Sequence, residues 1–187
     1  MNWLTDFVKP KLNSLVNRKD PPSDLWTKCG CGERMLYVSD LKENLHVCSY
    51  CDQHMYIDFE SRFKQLFDDE KFELIEIPIE NNDPLKFKDL KKYTDRLKDA
   101  QQKTKQKDAA HVATGQIGGT TVCIFLLDFK FMGGSMGQYV GEAFKIGCQK
   151  AVELNCPFIS IASSGGARMQ EGLVSLMQLP KTVAACN

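Results

Sequence analysis

Ser163-Ser164-Gly165-Gly166-Ala167-Arg168-Met169-Gln170-Glu171 is the stretch on which the reading of this chain turns. It follows the apolar run Pro157-Phe158-Ile159-Ser160-Ile161-Ala162, which predicts a buried strand, and it precedes a helix-compatible sequence. Two glycines at a strand-to-helix turn let the backbone come close to a ligand, because no Cβ stands in the way. Their N–H groups are then expected near the positive end of a helix dipole. Such donors suit a developing oxyanion, for example the enolate of a thioester. A bare Gly-Gly pair is also compatible with a tight structural turn, so the surrounding sequence has to decide.

Working upstream, Phe131-Met132-Gly133-Gly134-Ser135-Met136-Gly137 is a second glycine-rich loop, and a helix is expected from about Gln138 to Leu154. Before it, a strand from His111 to Ile117, a Gly118-Gly119 turn and the strand Val122–Leu127 read as a hairpin. Strand, glycine loop, helix, strand, glycine loop, helix is a layered α/β pattern. Pro180 falls where the last helix should continue, and a proline in a helix interior costs about 3 kcal/mol. The chain stops at Asn187 with no closing strand in view, so a fragment of a larger fold, with unpaired sheet edges, is expected.

Further upstream, Phe59, Phe63, Leu66 and Phe67 stand at helical spacing, and the alternation from Phe72 to Ile77 predicts a strand ending at Pro78. Residues 84–108 are lysine-rich and helix-compatible, with Leu85, Leu90, Tyr93 and Leu97 as sparse anchors. Interspersed aspartates suit a solvated helix face; the functional alternative is a contact surface for the phosphates of a cofactor or nucleic acid.

Eight cysteines divide unevenly. Cys123, Cys148, Cys156 and Cys186 sit singly among apolar residues and read as buried free thiols. Cys29, Cys31, Cys48 and Cys51 form two pairs, each beside a turn, as a tetrahedral zinc site requires. The second pair has the usual two-residue gap; the first, Cys29-Gly30-Cys31, is one shorter, which weakens the amide-to-sulfur hydrogen bonds behind the ligands. A structural zinc would replace a core too small to fold alone, the alternative being degenerate, metal-free thiols. His54 is a possible substitute ligand, though a solvent-facing histidine is the simpler expectation.

The 187 residues are 43% hydrophobic and 26% charged with a formal net charge of zero, which suits a soluble globular protein. Bulk charge points to neither nucleic acid nor membrane, and no apolar run approaches the roughly 20 residues that span a bilayer. The N-terminus lacks a signal-peptide pattern, although Trp3, Leu4, Phe7 and Val8 suit a short amphipathic helix. A cytoplasmic protein is expected.

Together these halves resemble the β subunit of the carboxyltransferase of bacterial acetyl-CoA carboxylase. The resemblance runs from about residue 2 to the end. It is carried by Leu25–Cys29, Asn44–Cys48, Cys51–Met55, Lys91–Leu97, Phe131–Gly137 and Ser164–Glu171. It implies a crotonase-like α/β carboxyltransferase domain, incomplete here, behind a four-cysteine zinc ribbon. The expected division is an N-terminal segment (1–23), the ribbon (24–57), a basic helical connector (58–110) and the partial carboxyltransferase domain (111–187). The implied reaction moves a carboxyl group from carboxybiotin, carried on a separate protein, to acetyl-CoA. The product, malonyl-CoA, feeds fatty-acid synthesis. The implied partners are a carboxyltransferase α subunit in a heterotetramer, biotin carboxylase and the biotin carboxyl carrier protein; ATP binding belongs to the holoenzyme.

An enolate on the thioester and a ureido oxyanion on biotin both call for preorganised N–H donors. Gly165 and Gly166 are the expected oxyanion donors, Gly133, Gly134 and Gly137 a second close-approach loop, and Ser164 and Arg168 candidate substrate contacts. Arg168 could instead form an ion pair, within its loop or across a subunit interface. Family β subunits continue past the end of this chain, so the 187 residues are expected to be inactive or unstable even with the α subunit. Three other readings remain open. One is a nucleic-acid-binding zinc-ribbon protein. Another is a hydratase or decarboxylase using Glu142 or Glu171 as base. The third is a non-catalytic remnant.

Overall fold

The computed structural model describes residues 25–187 except 33, 79–82 and 84. The expected N-terminal amphipathic helix therefore lies outside the described residues, as does Pro22 with its neighbours. The chain forms two compact units that divide between Ile57 and Asp58. No helix among the described residues is long and apolar enough to cross a membrane.

The first unit is small. Strands β1 (Trp26–Lys28) and β2 (Met35–Tyr37) pair antiparallel, and helix α1 (Val38–Glu43) follows directly. Its buried residues are Cys29, Leu36, Leu41 and Cys48, with Met55 packed against them. After α1 the chain turns: Leu45 and His46 take positive φ, and Val47 makes a lone bridge to His54.

The second unit is a four-stranded sheet in the order β3-β4-β5-β6, made of β3 (Phe72–Leu74), β4 (Ala110–Ile117), β5 (Thr120–Leu127) and β6 (Phe158–Ile161). β3, β4 and β5 run antiparallel, while β6 is parallel to β5 and reached through a long crossover helix. Strand β5 explains why the sheet is covered on both faces. Val122, Ile124 and Leu126 point to one side and pack on Phe63 and Phe67 of helix α2 (Phe59–Leu66) and its capping residue. Cys123, Phe125 and Leu127 point to the other and meet Tyr139, Val140, Ala143 and Ala151 of the crossover helix. Asp58 starts α2 by accepting the Ser61 N–H at 2.9 Å.

The lysine-rich region forms a shorter helix than the pattern predicts. α3 spans Tyr93–Thr104, anchored by buried Tyr93 and Leu97, whereas Leu90 is fully exposed ahead of it. α4 (Gln138–Glu153) is the crossover helix; α5 (Leu173–Leu176) and α6 (Gln178–Cys186) close the chain.

Other expectations are corrected too. β6 is not buried: it pairs with β5 alone, and its four residues are half-buried or exposed. The helix expected after Gly165-Gly166 does not follow directly: a 3₁₀ turn at Met169–Glu171 and the four-residue α5 precede the nine-residue α6. Pro180 carries no interior-helix penalty, because it stands in the first turn of α6, where its missing N–H has no intrahelical partner to lose. Among the scattered thiols, Cys123 and Cys148 are buried as expected, but Cys186 is exposed.

Candidate active site and metal centre

The two glycine loops, separated in sequence by α4 and β6, lie against each other. Gly165 donates its N–H to the Gly133 carbonyl at 2.8 Å, Met136 to Gly166 at 2.8 Å, and Arg168 to Met136 at 2.8 Å. Gly134 is at φ +63, and a Cβ there would collide with the Ser163 carbonyl. Glycine is thus what allows the loops to touch. Gly166, at φ +118, faces open space, so its requirement is conformational rather than steric.

The helix dipole lies elsewhere than the sequence suggests. It belongs to the loop at 131–137, because Gly137 is the N-cap of the 16-residue α4. Glu171 reaches back from the opposite loop and accepts the Gln138 N–H at 2.6 Å, capping that helix.

The amides fall into two sets. Gly165 N–H is spent on Gly133, and Gly166 N–H on the Ser164 hydroxyl at 3.0 Å. The two amides expected to hold an oxyanion are therefore engaged inside the loops. The amides of Gly133 and Ala167 carry no hydrogen-bond partner among the described residues, and neither do those of Met132, Gly137, Ser163 and Ser164 in the same two loops. Ala167 was not singled out in the sequence; its position beside a glycine pair was the available signal.

Arg168 is fully buried and all of its donors are used. It pairs with both Asp108 oxygens at 2.7 Å. It also donates to the Tyr93 hydroxyl at 3.1 Å, the Ser135 hydroxyl at 3.1 Å and the Ser135 carbonyl at 2.9 Å. The Phe131 ring lies 5.7 Å from the guanidinium. Burial disfavours the charge, but Asp108 outweighs it and holds the guanidinium protonated. No donor remains for a CoA group, so of the expected roles for Arg168 the structure shows the internal ion pair. Tyr93 in turn donates to Glu171 at 2.6 Å.

The carboxylates considered as bases are committed elsewhere. Glu171 is buried in the contacts just described. Glu142 is gripped by Lys145 at 2.5 Å and by Lys181. Burial works against its charged form, yet these two lysines hold its carboxyl below the ordinary value. A hydratase-type base is therefore not offered by either residue.

A cleft of about 490 Å³ opens beside Ala167, Met169 and Gln170, with Met132, Ser135, Lys91 and Arg96 around it. Its cations are matched: Lys91 contacts Asp99, and Arg96 stands 2.6 Å from both oxygens of Asp89.

In the first unit the cysteine sulfurs converge. Those of Cys29, Cys31 and Cys51 lie within 4.8 Å of one another, and Cys29 is 3.5 Å from Cys51. Sulfurs bound at about 2.3 Å to one tetrahedral zinc stand roughly 3.8 Å apart, so the spacing fits. Cys48, buried beside Cys29, is not within that mutual 4.8 Å of all three, so the structure brings three of the four expected ligands together. The amides of Tyr50 and Cys51 hold the Cys48 thiol below the ordinary range against the effect of burial. The short first pair keeps one such support, the Cys31 amide on Cys29; the crowding of Cys31, Cys51 and Cys48 with burial nonetheless pushes that thiol up to about 12. His54 is exposed and stands outside the sulfur group.

An α/β unit whose two glycine loops abut at the end of a sheet is the arrangement of a carboxyl transferase. Residues 76–185 match the family described as "Carboxyl transferase domain", and the chain belongs to that family. Its fold is crotonase-like. Among solved structures, the transcarboxylase 12S core with hydrolysed methylmalonyl-coenzyme A bound superposes with a TM-score of 0.53 at 26% identity. That match covers 66% of this chain and 22% of the other. The chain is 46% identical over 186 residues to the acetyl-coenzyme A carboxylase carboxyl transferase subunit beta of Jannaschia sp. (strain CCS1), and 47% identical to that of Dinoroseobacter shibae. Each alignment covers 99% of this chain and 58% of the relative, so the chain spans under two thirds of those relatives' length.

Proposed function

We propose that this chain is the β-type carboxyltransferase component of an acetyl-CoA carboxylase, acting in the cytoplasm. Its partners are then an α subunit, biotin carboxylase and a biotin carboxyl carrier protein. The observation that carries the reading is the pair of abutting glycine loops with two unengaged amides at their junction. In this reading the Gly133 and Ala167 N–H groups receive the thioester oxygen as its enolate forms, and the cleft beside Ala167 takes the acyl-CoA chain. Gly165 and Gly166 act by permitting the close approach and fixing the loop contact. Carboxybiotin supplies the carboxyl group when its carrier docks. Cys29, Cys31, Cys48 and Cys51 hold a structural zinc, which fits the spacing of Cys29, Cys31 and Cys51 and the donor chemistry of all four.

Since the chain spans 58% of the relatives, we propose that turnover also needs polypeptide corresponding to their remainder, on the same or another chain. Reconstitution with α subunit, biotin carboxylase, carrier protein, ATP, bicarbonate and acetyl-CoA, with and without that remainder in cis, tests this. Malonyl-CoA should form in the extended assembly and not in the short one. No product from the extended assembly overturns the assignment, and robust product from the short one overturns the requirement.

One observation favours a second activity. Trp26, Tyr37 and Tyr50 are exposed on the cysteine unit, with Arg34 stacked 4.4 Å above Tyr50, which suits base stacking by a nucleic acid. Gel-shift binding that weakens steeply with salt would support it, and no shift at low salt would sink it.

A further inference from the structure

Behind the glycine loops lies a buried set of charged and polar side chains that meets the cleft through Arg168 and Ser135. Asp108, just ahead of β4, receives two Arg168 hydrogen bonds at 2.7 Å; both side chains have no solvent exposure. Tyr93, at the start of α3, bridges Arg168 at 3.1 Å and Glu171 at 2.6 Å. Arg168 grips Ser135 in the opposite loop twice, and Glu171 grips the first amide of α4. A buried ion pair is seldom a net source of stability, since desolvation consumes most of the attraction, so its specific output is geometry. Here that geometry is the separation of the two glycine loops: Arg168 N–H is itself bonded to Met136, so displacing the guanidinium moves Ala167 relative to Gly133.

We propose that Asp108 and Tyr93 are positioning residues for carboxyl transfer, acting through Arg168 and Glu171 to set the spacing between the Gly133 and Ala167 amides. This rests on the carboxyl-transfer reading, and it adds Asp108, just ahead of β4, and Tyr93 of α3, which stand far from the loops in sequence. It also gives the lysine-rich helix a purpose beyond solvation, as the element that delivers Tyr93.

The test has two arms. In hydrogen exchange on the full chain, Asp108→Asn should remove protection from the Met136, Gly165 and Arg168 amides together while the β4–β5 hairpin stays protected. In the reconstituted complex, the same variant should lower kcat on the order of 10²-fold with the KM for acetyl-CoA nearly unchanged. Tyr93→Phe, which keeps the ring, should lower kcat less, and it decides the matter if Asp108→Asn does not fold. Loops as protected as in the wild type, or a raised KM at constant kcat, would overturn the proposal. An extended wild-type assembly that makes no malonyl-CoA would overturn the carboxyl-transfer reading instead, leaving the exchange arm to decide whether these residues couple the loops.

Discussion

The two units solve the same problem with different means. Residues 58–187 bury a sheet on both faces and can spend core volume on a desolvated Arg168–Asp108–Tyr93–Glu171 network. Among its described residues the cysteine unit buries two leucines and two cysteines, with Met55 beside them. At about 1.5–3 kcal/mol per fully buried large apolar side chain, such a set cannot offset the ordering of some thirty residues. The contrast teaches that polar chemistry in the larger unit specifies geometry, whereas in the smaller one it must supply the stability itself.

The sharpest way to break this contrast is to take away the zinc proposed for the cysteines. Zinc binding to a four-thiolate site contributes on the order of 10 kcal/mol, so a strong chelator, or Cys48→Ser, should abolish exchange protection across residues 25–57. The sheet amides of β4 and β5 should keep theirs. A cysteine unit that stays protected without metal would place its stability in contacts other than the thiols.

The next largest effect belongs to the ion network. Arg168→Met removes the cation and leaves Asp108 and Glu171 buried, which should cost about 3–5 kcal/mol, read as a lower denaturation midpoint at constant m-value. A compensating Arg168→Met/Asp108→Leu pair should recover most of that stability without restoring the loop contact to Ser135. Recovery of both would mean that the network does not set geometry.

The smallest effect concerns pH. His111 stacks on Phe59 with centroids 3.6 Å apart, and its Nε2 is buried without a partner. Burial lowers it to about 4 from its ordinary 6.5, against the raising influence of Asp128 and Asp108. The unfolded chain therefore takes the proton first. Stability of the larger unit should be full above about 6.5, fall as pH drops toward 4, and level off below, by on the order of 2–3 kcal/mol. His111→Phe keeps the stack and should flatten that slope in urea titrations across the window.

The two units also differ in how far they could be read from sequence. The hairpin, α4 and both glycine loops follow from local signals: the continuous apolar run of β5, the Gly118-Gly119 turn, and glycine pairs after apolar runs. The convergence of Cys29, Cys31 and Cys51 was legible from spacing, while the place of Cys48 beside them was not. What escaped depends on distant partners. Phe158-Ile159-Ser160-Ile161 has the composition of a buried strand, yet burial needs a second neighbour that no local pattern specifies. Arg168 could be assigned to a ligand because Asp108 and Tyr93 stand 60 and 75 positions away. The engagement of the Gly165 and Gly166 amides is likewise a property of two loops in contact, invisible in either one.

The account stands most directly on which amides face the reacting oxygen. Acetyl-CoA titrated into the ¹⁵N-labelled chain, assembled in its carboxyltransferase complex, should move the Gly133 and Ala167 amide resonances saturably, leaving Gly165 and Gly166 nearly in place. Saturable shifts confined to Gly165 and Gly166, or none in either loop, would contradict it.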